Sequence, residues 1–175
     1  MSALSGVPPI WITTVGLIVG LGSATAAALS IWWLAIILWI LNRAIDGIDG
    51  DIARAQGSQS DAGGYADIVA DTVVYASIPI GAAIGSDIEN IWIVTSLLLA
   101  AFYINTITWT YLAALLEKRG RTKSVTSTTM PPGLIEGTET IVFFIGMLLL
   151  PQWLNLTMIA MATTVTIGAC VRFIT

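Results

Sequence analysis

The stretch Ile45-Asp-Gly-Ile-Asp-Gly-Asp-Ile-Ala-Arg54, followed after a polar break by Ala62-Gly-Gly-Tyr-Ala-Asp-Ile-Val-Ala-Asp71, decides how this chain folds. Six of the eleven acidic residues of the chain lie between residues 45 and 71. Apolar segments flank it on both sides, and the whole chain of 175 residues is 56% hydrophobic and only 10% charged. Because carboxylates are costly at membrane depth, their concentration here indicates a functional site.

The composition excludes several classes of protein and of chemistry. Soluble domains carry about 25% charged residues, so this chain is predicted to be an integral membrane protein, and its length predicts a single domain, 1–175. Its one cysteine, Cys170, cannot form an intrachain disulfide, and the absence of histidine excludes histidine acid–base chemistry and most zinc sites. The chemistry must use carboxylates, hydroxyls or arginine, and no nucleic acid is expected as a partner.

Apolar runs predict an all-α polytopic membrane protein with six transmembrane helices. The predicted helices are 10–29, 31–45 with the following turn or two, 62–84, 91–116, 131–150 and 153–173. An even number of spans puts both termini on one side, and all seven basic residues can then lie on that side. The opposite loops carry only Asp87 and Glu89. The positive-inside rule therefore predicts cytoplasmic termini, with the acidic stretch at the cytoplasmic face of the inner (plasma) membrane.

Two predicted helices carry residues typical of contacts between helices in a membrane. Small residues that let a neighbouring helix approach closely recur in the first helix: Gly16, Gly20, Gly22, Ala24 and Ala26. Polar residues that favour another helix over lipid lie within the fourth: Asn105, Thr106 and Thr108.

The spacing of the acids predicts a metal site. Asp46 and Asp49 are three residues apart near the end of the second helix, and Asp67 and Asp71 are four apart at the start of the third. Each pair therefore shares a helix face, and consecutive helices can bring the faces together. Such a cluster repels itself unless a cation compensates it. Oxygen ligands favour Mg²⁺ or Mn²⁺ (or Ca²⁺) over zinc, and four carboxylates suffice for the two ions used in phosphoryl transfer.

Small residues and an arginine accompany the acids. Gly50, Ala53 and Gly63 each lie one helical turn from an aspartate, where a missing or short side chain leaves room for a ligand. Arg54 follows directly and can clamp a phosphate. Together these residues predict a diphosphate site at the membrane surface.

Other charged residues have more than one interpretation. The basic loop at 118–123 is either a topology anchor or a substrate contact. Glu136 and Glu139 are either first-turn residues favoured by the helix dipole or part of an acceptor pocket. Arg43 is predicted to snorkel to the membrane interface.

The acidic stretch resembles the signature of the CDP-alcohol phosphatidyltransferase family, D-x2-D-G-x2-A-R-x8-G-x3-D-x3-D, at every fixed position. Those positions are filled here by Asp46, Asp49, Gly50, Ala53, Arg54, Gly63, Asp67 and Asp71. The resemblance implies that the four aspartates bind two divalent ions, Mg²⁺ or Mn²⁺, which grip the diphosphate of CDP. It implies nucleotide and phosphate contacts at Asp49, Gly50, Ala53, Arg54 and Gly63. It also implies that Asp71 acts as the general base.

The reaction implied by the resemblance belongs to phospholipid biosynthesis. An alcohol hydroxyl attacks the phosphorus distal to cytidine in a CDP-linked lipid, with CDP-diacylglycerol the favoured donor, and CMP leaves. The resemblance also implies a homodimer in the lipid bilayer. Two alternatives stay open at this point. One is a divalent-cation carrier or channel that uses the same carboxylates, and the other is an inactive family member with a scaffolding role.

The sequence departs from the family pattern at two places. Many members have Pro-Asn before the first helix and Thr three residues after the Asn; Pro9 and Thr13 fit, but Ile10 replaces the Asn. Members that use inositol phosphate resemble Gly-Leu-x-Glu-Arg-x-Glu-Arg at the fifth helix. Residues 133–140 keep both glutamates and lose both arginines. We therefore expect a non-phosphorylated alcohol as the acceptor.

Overall fold

The computed structural model describes residues 9–56, 61–118 and 137–174, and within these ranges the chain is helical with no strand. The helices are α1 (Pro9–Ala28), α2 (Trp32–Gln56), α3 (Asp61–Ile84), α4 (Ile91–Lys118), α5 (Gly137–Leu149) and α6 (Leu154–Ile174). A single 3₁₀ turn, Pro151–Trp153, precedes α6. The all-α prediction is confirmed, and the six apolar runs each correspond to a helix.

The largest difference from the predicted boundaries is at α2. This helix was expected to end one or two turns after residue 45, and it continues to Gln56. The first half of the acidic stretch is therefore helical throughout. The predicted start of the fifth helix at residue 131 lies outside the described residues.

Among the described residues, four helices are long and apolar enough to cross a membrane. These candidate spans are Ile10–Ala28, Ala62–Ile84, Ile91–Leu115 and Pro151–Arg172. A shorter apolar segment among the described residues is Glu139–Leu149 of α5. The chain is an integral membrane protein, while six spans and cytoplasmic termini stay predictions.

Helices α1, α2 and α3, together with Ile145–Leu154, form one compact unit. Within it α1 packs against both α2 and α3. The buried Ser23 hydroxyl of α1 donates a hydrogen bond to the Ala35 carbonyl of α2 (2.8 Å). On the α3 side, a Cβ added to Gly81 or Gly85 would overlap the carbonyl oxygens of Ala24 or Ala27. Only glycine permits this approach of two helix backbones, as the small residues of α1 predicted.

The turn between α1 and α2 fixes the same end of this unit. Ser30 has a φ of 59°, and its N–H donates to the Ala27 carbonyl while the N–H of Ile31 donates to that of Ala26. These two bonds close the helix end in the Schellman arrangement, where glycine is usual. The Ser30 hydroxyl also donates to the Gly85 carbonyl at 2.7 Å and so ties the turn to the end of α3.

Helices α4 and α6 and the first turns of α5 belong to a second compact unit. Phe102 of α4 stacks on Phe144 of α5 with ring centroids 6.2 Å apart. Arg172 of α6 is only 8% exposed and donates to the Asn105 side-chain oxygen of α4 at 2.6 Å. The prediction that Asn105 faces another helix is confirmed.

Candidate active site

Helices α1, α2 and α3 enclose a cleft lined by carboxylates. Asp46 of α2 and Asp67 and Asp71 of α3 line it, opposite Thr13 and Gly16 of α1. Asp67 and Asp71 are one helical turn apart, and α2 precedes α3 directly in the chain. The two helices thus present three described aspartates to the same cleft, and the convergence of these carboxylates on one ion stays a prediction.

A guanidinium group lies between the two acidic faces. Nη2 of Arg43 donates to Asp71 Oδ1 at 2.7 Å, and Nη1 lies 3.4 Å from Asp46 Oδ2. Nη1 also donates to the Tyr75 hydroxyl at 3.1 Å, and Nε donates to Asn42 Oδ1 at 2.9 Å. Arg43 therefore bridges a carboxylate of α2 and one of α3, and each of its three side-chain nitrogens has an acceptor.

Aromatic and amide groups hold this arginine in place. The guanidinium carbon lies 4.7 Å from the ring centroid of the buried Trp39 and 5.1 Å from that of Tyr75. Both distances fit cation–π contacts. Asn42, which accepts from Arg43, donates through Nδ2 to the Gly16 carbonyl at 2.8 Å. The arginine is thus connected to all three helices of the cleft.

The prediction that Arg43 snorkels to the interface is wrong. Its side chain is only 9% exposed, because Asp71 and the two rings hold it inside the unit. The sequence did contain a signal for this position. Arg43 lies three residues before Asp46 and four after Trp39, which puts the three side chains on one face of α2.

The donor chemistry of the cleft fits a hard divalent cation. Asp46, Asp67 and Asp71 contribute carboxylate oxygens alone, and such ligands suit Mg²⁺ or Mn²⁺. Among the side chains that the structure describes, no three acidic, histidine or cysteine groups converge closely enough to hold one ion. Asp49 is not among those side chains, and Asp46 and Asp71 are both engaged by Arg43. Metal binding stays a prediction, supported by this donor set.

Four further residues of the predicted site lie on α2 beyond the part with described side chains: Asp49, Gly50, Ala53 and Arg54. Their positions on the helix follow from its bounds, and their contacts stay predictions. Gly63 lies on α3 one turn before Asp67, and its role stays a prediction.

The charged residues near the fourth and fifth helices are only partly described. Glu136 and the loop residues 119–123 lie outside the described residues. Lys118 is in the last turn of α4, and Glu139 is exposed in the first turn of α5. The position of Glu139 agrees with its interpretation as a first-turn residue favoured by the helix dipole.

Comparison with known proteins identifies the protein family to which this chain belongs. The sequence model of the CDP-alcohol phosphatidyltransferase family matches residues 7–170. The inner membrane protein YnjF of Escherichia coli is 34% identical over 151 residues, which cover 85% of this chain and 72% of YnjF. The archaetidylinositol phosphate synthase of Pyrococcus horikoshii is 28% identical over 162 residues, covering 92% of this chain and 80% of that protein.

Solved structures share the fold. The crystal structure of Mycobacterium tuberculosis phosphatidylinositol phosphate synthase PgsA1 with CDP-DAG bound superposes with a TM-score of 0.77, at 18% identity, over 97% of this chain and 86% of PgsA1. The structure of PgsA1 in complex with manganese and citrate gives 0.75 at 19% identity, over 96% and 81% of the two chains. At these identities the similarity extends to the helical architecture alone.

Proposed function

We propose, on the premise that this chain belongs to the CDP-alcohol phosphatidyltransferase family, that it transfers a phosphatidyl or phospho-alcohol group from a CDP-linked lipid to an alcohol and releases CMP. The observation that carries the proposal is the cleft in which Asp46, Asp67 and Asp71 of two helices meet. CDP-diacylglycerol is the donor we favour, and a structural neighbour, PgsA1, has been crystallised with CDP-DAG.

We assign the divalent ions to the four aspartates of the signature: Asp46, Asp49, Asp67 and Asp71. When bound there, Mg²⁺ or Mn²⁺ neutralises the negative charge of the diphosphate and of the departing CMP. A PgsA1 structure with manganese supports an ion of this kind. On α2, Gly50 and Ala53 leave space beside the carboxylates for the nucleotide, and Arg54 binds a phosphate oxygen.

Asp71 is the residue to which we assign proton transfer. The acceptor oxygen forms a bond to the phosphorus distal to cytidine, and the bond from that phosphorus to the CMP oxygen breaks. The hydroxyl proton passes to the Asp71 carboxylate, and CMP leaves with the electron pair of the broken bond. A base that accepts this proton must reach the hydroxyl within hydrogen-bond distance, and Asp71 lines the cleft.

We propose a non-phosphorylated alcohol as the acceptor. Gly137 and Thr140 stand where members that use inositol phosphate carry arginines, and an anionic acceptor loses two cationic partners there. A relative named archaetidylinositol phosphate synthase makes inositol phosphate the competing acceptor. Both therefore belong in the same assay.

The test is CMP release by the purified protein in lipid vesicles with Mg²⁺ or Mn²⁺ and CDP-diacylglycerol. The acceptor panel contains inositol, glycerol and serine, and their phosphorylated counterparts inositol phosphate and glycerol phosphate. We expect CMP with a non-phosphorylated acceptor, and no CMP after chelation of the metal. Folded, metal-loaded protein that releases no CMP with any acceptor would contradict the proposal, and release with inositol phosphate alone would reverse the acceptor assignment.

Asp71→Asn tests the base. It should abolish CMP release while CDP binding persists, because the amide keeps the shape of the carboxylate without its basicity. The matched control is Asp87→Asn, an exposed aspartate between α3 and α4, which should leave release unchanged. Equal activity of Asp71→Asn and the wild type would remove the assignment. Measurement of metal flux into vesicles that contain the protein tests the alternative function, a divalent-cation carrier or channel.

We further propose a homodimer with its site at the cytoplasmic face. The positive-inside rule supports the face, since the basic residues accompany the acidic stretch. Chemical cross-linking in native membranes should yield a dimer, and monomer alone would contradict it. In sealed inside-out vesicles, externally added acceptor should be used without permeabilisation.

A further inference from the structure

Arg43 occupies a position that none of the assigned roles requires. Its side chain reaches from α2 to Asp71 and makes its shortest contact, 2.7 Å, with the carboxylate to which proton transfer is assigned. A second nitrogen lies 3.4 Å from Asp46, another of the proposed metal ligands. One guanidinium thus contacts two of the carboxylates that must also hold divalent cations.

The surroundings of Arg43 are built to keep a cation at this place. Trp39, which is fully buried, and Tyr75 each present a ring within cation–π distance of the guanidinium carbon. Asn42 accepts from Nε and is itself fixed to the Gly16 carbonyl of α1. A planar guanidinium can use these acceptors and rings together, which an ammonium group cannot.

We propose that Arg43 is an internal counter-cation that competes with divalent metal for Asp71 and Asp46. The inference rests on the proposed function, since it concerns the metal affinity of that same site. In the protein without metal, Arg43 compensates the charge of the clustered aspartates and keeps α2 and α3 together. Divalent metal must displace the guanidinium from the carboxylate oxygens, or bind beside its positive charge.

This competition predicts two effects of opposite sign when the charge of Arg43 is removed. The protein without metal becomes less stable, because like-charged carboxylates lose their partner. The metal binds more tightly, because it no longer works against a neighbouring positive charge, and we expect a gain on the order of tenfold. A residue that merely supports the fold would lower stability without tightening metal binding.

The experiment compares Arg43→Gln with the wild type in detergent, without nucleotide. Mn²⁺ affinity is measured by calorimetric titration, and thermal unfolding is followed with and without Mn²⁺. We expect a lower unfolding temperature without metal, roughly tenfold tighter Mn²⁺ binding and a larger stabilisation by Mn²⁺. Arg43→Lys, which keeps the charge, should stay within about threefold of the wild-type affinity. Tyr75→Phe, which removes one hydrogen-bond acceptor without altering charge, should do the same.

Each outcome of this experiment either supports or contradicts the proposed role of Arg43. If Arg43→Gln folds only when Mn²⁺ is present during purification, the metal has replaced the lost cation and the inference stands. Failure to fold with or without Mn²⁺ would overturn it, as would an unchanged or weaker Mn²⁺ affinity in folded protein. Wild-type protein that binds Mn²⁺ but releases no CMP would overturn the transferase proposal alone. Wild-type protein that binds no Mn²⁺ would overturn both.

Discussion

Gly81→Ala should separate α1 from α3. A Cβ at this position overlaps the carbonyl oxygen of Ala24 and lies 2.9 Å from its carbonyl carbon. These are backbone atoms of a helix, so no side-chain rotation can relieve the overlap. The two helices must move apart, and the contact that their small residues make is lost.

The expected loss follows from two opposing contributions. Inserting a methyl group into a packed interior costs about 1–3 kcal/mol, and the rigid neighbour here favours the upper end. Alanine regains about 1 kcal/mol of helix propensity relative to glycine. The net destabilisation is about 2 kcal/mol, and for a chain of this size about 2–4 °C per kcal/mol gives a melting temperature lowered by roughly 4–8 °C.

Gly146→Ala is the matched control for this prediction. Gly146 is also inside a helix, α5, but among the described residues a Cβ there would meet no atom beyond its own helical turn within 4 Å. Only the propensity gain applies, so this variant should melt up to about 4 °C above the wild type. Tryptophan fluorescence during heating in detergent measures both. A Gly81→Ala protein that melts at or above the wild-type temperature would refute the close-approach argument.

Three further substitutions test other contacts. Asn105→Ala removes the hydrogen-bond acceptor of the buried Arg172 and should lower the free energy of unfolding by about 2–3 kcal/mol. Asn105→Asp keeps an acceptor, so equal melting temperatures of the two variants would contradict the importance of this hydrogen bond. Ser30→Ala removes the hydrogen bond to Gly85 and should lower the free energy of unfolding by about 1 kcal/mol. Ser30→Gly loses the same bond but relieves the positive φ, so its stability should stay near that of the wild type. A glycine variant less stable than the alanine variant would contradict this account of the turn. Asp67→Asn should weaken Mn²⁺ binding on the order of tenfold, because one charged ligand is lost. If calorimetric titration gives an unchanged Mn²⁺ affinity, Asp67 is not a ligand of the metal.

The sequence predicted the helices well because their cause is local. Apolar runs of span length, interrupted by polar turns, place five of the six helix starts within a residue or two, and α3 begins at Asp61 against a predicted 62. The carboxylate spacing was equally informative, since helical periodicity alone brings Asp67 and Asp71 to one face. Both predictions depend on residues close together in the chain.

The parts that could not be predicted depend on partners distant in the chain. A lone arginine near the end of an apolar run is compatible with an interfacial anchor, and the position of Arg43 is decided by Tyr75, 32 residues away. Likewise, the buried Arg172 depends on Asn105, 67 residues earlier. The small residues of α1 were recognisable as a contact surface, but their partners Gly81 and Gly85 follow only from the packing.

The contact of Gly81 and Gly85 with α1 also lies far along α3 from the carboxylates of the cleft. Gly81 is ten residues from Asp71, which corresponds to about 15 Å along the helix axis. A rotation of α3 by about 5° at the glycine contact would therefore carry the carboxylate by about 1 Å. Misplacement of that size can cost about a hundredfold in rate. Variants that impair turnover without touching nucleotide, metal or acceptor should accordingly be sought at Gly81 and Gly85, at the far end of the helix pair.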